Sequence, residues 1–431
     1  LKKTVQIKYG REDYVSVEIP EENLVGIFKP KNGKPIIDEE QAIQKVLDKP
    51  IGVSSLKELV RGKKSAAIAI TDASRPNIEK KILPLIIQSL ESGGLVKKDI
   101  KIIIGIGFHR APYKNEIEEK LGFLKDKIKI VCHNANKSEM RYYGKTSYGY
   151  PIEINQLFAE SEIKIVVGTV LPHPFAGFSG GGKMVSVGIA SKSAISATHT
   201  TEMLDHPNTG WGIIENNPFY HSAIEQAKKV GVDFLINAVL DENEKLLCIS
   251  AGKVQEAHLD CIHQSKEFFE VNIPEKADIV IVSTGYPKDS NLFHVCAMGV
   301  CAVAGSAVKY PCIRKDGTII VVSPMEDGVY NQVFYDTLKR AKNPGEVMEK
   351  IKSMTHLEPG HHRAYGVAQV MDKYKIIMAQ SKLGPKIISA IHIEPSPSLQ
   401  SAIDKSLVLY GNRARIAVFL SSHRMIINCK T

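Results

Sequence analysis

The chain has 431 residues, 43% hydrophobic and 24% charged, with a formal net charge of +9. That length exceeds one ordinary core and predicts a soluble globular protein of two domains. No apolar run reaches the roughly 18–20 residues of a membrane span. The basic residues fall in isolated pairs such as Lys63–Lys64 and Lys97–Lys98, unlike a nucleic-acid surface, so neither membrane nor nucleic acid is an expected partner and the charge suits a small anion.

The opening LKKTVQIKYGRED alternates apolar and polar residues and reads as a strand, not a signal peptide. SAAIAITDA (65–73) reads as a buried strand ending in a polar turn, followed by a helix over 76–94 with proline near its start and glycines at its end. Strand 100–107, helix 114–122 and strands 128–133 and 162–169 continue the alternation. A helix from Asn217–Pro218 to about Lys229 precedes strands 233–241 and 245–252 and a long helix over 254–269. Residues 271–278 read as a linker. Beyond it come strand 277–285, an apolar Ala/Gly-rich helix, strand 317–324, several helices, and strands 374–381 and 415–420. The predicted fold class is α/β: two α/β domains, 1–270 and a smaller 271–431, with mainly parallel sheets and an active-site cleft between them. Seven cysteines without a CxxC pair point to reduced thiols in a cytoplasmic protein.

Polar, chemistry-bearing residues cluster after strands, where α/β sheets present ligands: TDASRP (71–76), FHR (108–110), LPHPFAGFSGGGK (171–183) and TGYPKDSN (284–291). GFSGGGK (177–183) satisfies G-x-x-x-x-G-K, but Met184 replaces the hydroxyl that would hold Mg²⁺, and MVSVGIAS opens no convincing helix. A nucleotide triphosphatase is therefore disfavoured. Gly180, Gly181 and Gly182 still let backbone N–H groups approach a phosphate or a flat cofactor. The Lys183 amine is a candidate for covalent attachment, or else a phosphate counter-charge. His199 is a candidate metal ligand or a lone structural histidine. His109 and His173, on separate loops, could remove a proton on one side of a substrate and return it on the other. Arg75 offers a fork to a carboxylate, and Asp72 a partner for hydroxyl or ribose groups; a solvated turn is the plain alternative.

Together TDASRP, GFHR (107–110), GKTSYGYPIEIN (144–155), PHPFAGFSGGGKMVSVGIAS (172–191) with His199, ENNP (215–218) and TGYPKDSN resemble the nickel-dependent lactate racemase family over most of the chain. The resemblance implies a nickel pincer nucleotide: pyridinium-3-thioamide-5-thiocarboxylic acid mononucleotide carrying Ni(II). It implies a covalent tether at Lys183, with Asp72 and Gly180–Gly182 around the cofactor, and His199 as the protein ligand of the metal. It further implies His109 and His173 as the acid/base pair, Arg75 on the substrate carboxylate, and separate maturation proteins as partners. The expected activity is inversion of the α carbon of a 2-hydroxy acid, with lactate racemisation itself, or a dehydratase or lyase on the same scaffold, as alternatives.

The match departs from the family on the substrate side. Where lactate-type members carry a Tyr-Gln pair and then a lysine, this chain has Phe293, His294 and Ala297; where they carry a pocket-closing tryptophan, it has PGHHRAYG, with His361, His362 and Arg363. The only tryptophan, Trp211, lies elsewhere. Phe293, His294 and His362 are the expected substrate contacts, and a larger or more polar 2-hydroxy acid than lactate is the expected substrate.

Overall fold

The computed structural model describes residues 1–122, 124 and 127–429. Two six-stranded sheets organise them. The first runs, edge to edge, Leu246–Gly252, Phe234–Leu240, Ile163–Thr169, Ala66–Thr71, Ile100–Gly105 and Lys129–Cys132. It is parallel except for the antiparallel edge pair 234–240 with 246–252. Every residue of Ala66–Thr71 and of Phe234–Leu240 is buried. Coverage on both faces explains why these segments read as unbroken apolar runs and not as alternating ones.

The second sheet is parallel throughout, in the order Glu394–Ser396, Lys375–Ala379, Ile313–Val322, Ala277–Ser283, Ile416–Leu420 and Leu24–Phe28. Its last strand corrects the division at residue 270. Leu24–Phe28 pairs with Ile416–Leu420, and the hairpin Lys2–Tyr9/Asp13–Pro20 buries Val5, Ile7, Val15, Val17 and Ile19 against Ile279, Ile281 and Val418. Residues 1–28 thus pack with the second unit, because the buried face of the hairpin (alternate residues, the strand period) finds its apolar partner there. A second correction concerns the supposed linker, since Glu270–Ile273 is a strand paired in parallel with Ile426–Cys429.

The remaining elements follow the expected alternation, including helices Glu79–Ser92, Lys114–Leu121, Pro218–Val230 and Val254–Phe269. After Lys183 the chain makes one π turn, Met184–Gly188, and then helix Lys192–Thr198, whose start Ser191 caps through Ala194 N–H at 3.2 Å. Arg424 joins the units by donating to the carbonyls of Leu240 and Asp241, at the end of strand Phe234–Leu240. Among the described residues no disulfide joins the cysteines. No helix among the described residues is long and apolar enough to cross a membrane.

Candidate active site

Loops from the carboxyl ends of both sheets meet around a cavity of about 1080 Å³, counting its open mouth. The first unit contributes Asp72, Arg75, His109, His173, Lys183 and His199; the second contributes Phe293, His362 and Arg363. Gly180 and Gly181 also line it, whereas Gly182 and His294 lie outside the lining. Residues more than 290 positions apart thus share one space, as expected of ligand sites at strand ends.

The loop carrying Asp72 and Arg75 is anchored from below. Glu79, fully buried at the start of its helix, accepts from the Thr71 backbone N–H at 3.1 Å and from the Thr71 hydroxyl at 2.5 Å. Its other oxygen pairs with buried Lys120 at 2.5 Å. This paired buried charge sets where strand Ala66–Thr71 ends, and hence where Asp72 stands. Asp72 accepts from His109 Nδ1–H at 2.6 Å through one oxygen, and from the Ser74 N–H and hydroxyl at 2.9 and 2.6 Å through the other. Burial favours its neutral form, but the charge and hydrogen bond of His109 outweigh it, helped by Ser74 and Lys288. The carboxyl is held well below the usual range. Both oxygens of Asp72 are thus engaged within the protein, and through one of them it orients the His109 imidazole. Burial, reinforced by Lys288 and Arg75, lowers His109 below the ordinary histidine value against the pull of Asp72. A neutral ring that donates from Nδ1 carries its lone pair on Nε2.

His173 is arranged the opposite way. Its Nδ1 accepts from the backbone N–H groups of Phe175 and Ala176, each at 3.2 Å. Burial first, then Lys183, Arg75 and Arg363, push its pKa well down. The neutral ring therefore carries its proton on Nε2. His109 is set as a proton acceptor and His173 as a donor.

His199 closes helix Lys192–Thr198, and its Nδ1 donates to the Ile195 carbonyl at 2.8 Å. Burial brings its pKa down to about 3, although the Ile195 bond opposes this. Nε2 is left as an unprotonated donor atom. Phe175 and Phe219 pack edge-on to the ring at centroid distances of 5.6 and 5.4 Å. Lys183 immediately precedes the π turn, and burial, then Arg75 and Arg363, push its amine down to about 7. At neutral pH such an amine is unprotonated, and so nucleophilic, in about half of the molecules.

The glycines before Lys183 serve packing more than an open cradle. A Cβ on Gly180 would lie 2.7 Å from Asn237 Oδ1, one on Gly181 2.2 Å from His258 Nδ1, and one on Gly182 2.2 Å from the Ala223 carbonyl. Gly180 and Gly181 also hold positive φ, +86° and +54°. Gly181 N–H donates to Asn237 Oδ1 at 2.9 Å. The missing Cβ of Gly182 is accounted for by its close approach to helix Pro218–Val230.

On the second unit, the Phe293 ring stacks on Tyr330 at 6.1 Å, and Tyr330 accepts from the Arg110 N–H at 3.2 Å. His294 sits behind His109, rings edge-on at 5.5 Å, with Nδ1 accepting from Asn291 at 3.1 Å. It packs against the His109 imidazole from an adjoining recess and does not line the main cavity. The His362 ring is edge-on to His199 at 5.0 Å. His361 is half-buried and lies outside the cavity lining, accepting from the Glu358 N–H at 3.0 Å. Glu79, Lys120 and buried Lys288 escaped the sequence reading. A charge buried by residues distant in sequence leaves no local signal; only the KD within GYPKDSN marks Lys288 as unusual.

Fold and site together define a two-unit α/β protein whose shared cavity sets imidazoles beside the cationic side chains of Arg75, Lys183 and Arg363. A family profile described as "Lactate racemase N-terminal domain" matches residues 9–212, and one described as "Lactate racemase C-terminal domain" matches 273–427. The lactate racemase of Thermoanaerobacterium thermosaccharolyticum is 31% identical over 433 residues, covering 99% of both chains. That of Lactiplantibacillus plantarum is 29% identical over 412 residues, covering 94% of this chain and 95% of that protein. The solved lactate racemase apoprotein from T. thermosaccharolyticum superposes with a TM-score of 0.90 at 30% identity, over 99% of this chain and 100% of the other. A Thermotoga maritima protein shares the fold, with a TM-score of 0.70 at 18% identity over 92% and 99% of the two chains. The chain belongs to the lactate racemase family, and it is an isomerase of the racemase class.

Proposed function

We propose that the protein inverts the α carbon of a 2-hydroxy acid, with a nickel pincer nucleotide held on Lys183 and His199. The donor set suits such a group. Among the described residues no group of three or more His, Cys, Asp or Glu is placed to hold a metal, so a metal at His199 takes its other donors from a cofactor that brings its own. His199 offers one neutral Nε2, a donor suited to Ni(II), and Lys183 offers an amine close to neutrality for the tether. When bound, the group supplies a reversible acceptor for the substrate's α-hydrogen as hydride, avoiding an unstabilised carbanion.

The chain's own residues do the remainder. Arg75 holds the substrate carboxylate by a charge-assisted fork. His109 takes the hydroxyl proton at Nε2, and Asp72 stabilises the imidazolium as it forms. His173 hydrogen-bonds the oxygen on the other side through Nε2–H, and the proton taken up by His109 is the one returned to that oxygen, so that no imidazolate forms. For the opposite hand the roles exchange, which requires His173 to leave the tautomer that the Phe175 and Ala176 N–H groups favour. The observation that carries this proposal is the shared cavity: Lys183, His199, His109, His173 and Arg75 all line it. Intact mass and nickel analysis after co-expression with pincer-maturation proteins tests it. The expected result is a mass increment lost in Lys183→Ala, nickel lost in His199→Ala, and inversion of a 2-hydroxy acid by the loaded enzyme. An unmodified protein under those conditions refutes the assignment.

A further inference from the structure

Arg363 stands in the first turn of helix His361–Met371. That helix is tied to the first unit, because Tyr365 OH and Gln369 Nε2 donate to the two oxygens of Asp205 at 2.6 and 2.8 Å. The anchoring fixes the guanidinium against two rings, 5.6 Å from the Phe175 centroid and 5.5 Å from that of Phe293. Its Nε–H is buried with no hydrogen-bond acceptor among the described residues. Such an arrangement is costly for a charged donor unless something else supplies the acceptor.

Nothing in the cavity wall does. Asp72 is the only carboxylate among the lining residues, and both its oxygens are engaged by His109 and Ser74. Arg75 and Arg363 come from opposite units and face one space, so a single substrate carboxylate on Arg75 leaves Arg363 unmatched. Phe175, which Arg363 stacks on, also packs edge-on to His199 and His362 at 5.6 and 5.8 Å. Arg363 therefore belongs to the end of the cavity where the reaction is proposed to occur. The two rings flank the guanidinium and leave its edge for a planar anion.

Resting on the racemase reading above, we infer that the substrate is a 2-hydroxy dicarboxylate: Arg75 takes the carboxylate beside the reacting carbon, and Arg363 takes a second one on the side chain. Malate is the smallest molecule of this class with a stereocentre to invert, and lactate is its monocarboxylate counterpart.

The test compares kcat/KM of the loaded enzyme for malate and lactate, alongside calorimetric binding of succinate, which has both carboxylates but no hydroxyl to react. The parent is expected to prefer malate, and in Arg363→Met the malate-to-lactate ratio falls roughly ten- to a hundredfold, with partial recovery in Arg363→Lys. Succinate binding falls by a similar factor, and nickel content and the Lys183 mass increment stay at parent level. Preference for lactate, or equal loss on both substrates in Arg363→Met, overturns the inference while leaving the racemase reading intact. Loss of nickel or of the increment in Arg363→Met assigns Arg363 to the cofactor's phosphate and also overturns it. Arg363-dependent succinate binding in a loaded enzyme that inverts neither acid supports the dicarboxylate site and refutes the racemase reading.

Discussion

Replacing Asp72 with Asn probes the proposed proton acceptor with little change of shape. The carboxylate lies 2.6 Å from His109 Nδ1 and is buried. Asn retains an acceptor oxygen but removes the negative charge that stabilises the imidazolium formed when His109 takes a proton. At an effective dielectric of about 20, a charge pair near 4 Å is worth roughly 4 kcal/mol, and the surviving neutral hydrogen bond returns about 1 kcal/mol of it. The net loss of about 3 kcal/mol corresponds to roughly a hundredfold in kcat. For an enantiomeric pair the equilibrium constant is one, so kcat/KM must fall equally for both hands. The acid limb should move as well. A base works when neutral, so activity rises with pH through the His109 pKa; Asp72 raises that pKa, and its removal shifts the limb to lower pH. Chiral chromatography of both enantiomers across pH, with nickel content matched between proteins, measures these quantities. A variant within about threefold of the parent rate, with an unmoved acid limb, would show that the pair is not the proton acceptor.

Three further outcomes follow from the geometry. Gly181→Ala places a Cβ 2.2 Å from His258 Nδ1 at a φ of +54°, so thermal denaturation should show a loss of about 1–3 kcal/mol together with a reduced Lys183 mass increment; a parent-like Tm with full loading would contradict the packing role of this glycine. Lys120→Met leaves Glu79 buried without its ion pair and should cost about 3–5 kcal/mol in denaturant unfolding, whereas Arg340→Met, at an exposed pair, should cost less than about 1 kcal/mol. In cofactor-free protein, the Lys183 amine titrates near 7, so its labelling by an acylating reagent should rise through neutral pH and level off by about pH 8, while ordinary lysines keep gaining reactivity toward about pH 10; labelling of Lys183 that tracks the other lysines would refute the depressed value.

Much of the candidate site was legible because its signals are local. His109, His173, Lys183, His199 and Arg75 lie on short loops that follow strongly β-branched strands, and a strand's carboxyl end is where an α/β sheet presents ligands. All five line one cavity. The supporting contacts were less legible. Asp72 could be noticed as polar but not assigned to His109, since that bond spans 37 positions. His294 looked like a pocket residue by motif position and proved to stand behind His109. GFSGGGK suggested room for a ligand, while the missing Cβ atoms turn out to be required by Asn237, His258 and Ala223. Glycine spacing reports that something approaches the backbone, and does not say what.

The division between sequence and tertiary structure follows the range of the forces involved. Side-chain period, capping residues and loop composition act over a few positions, so the alternation of strands and helices and the family-bearing loops can be read directly from the chain. Where residues 1–28 pack, which tautomer each histidine holds, and that Arg363 lacks an acceptor depend on contacts between segments far apart in the chain. Burial against those distant partners sets the protonation and the unmet charge on which the chemistry rests, and it exists only once the two sheets have closed on each other.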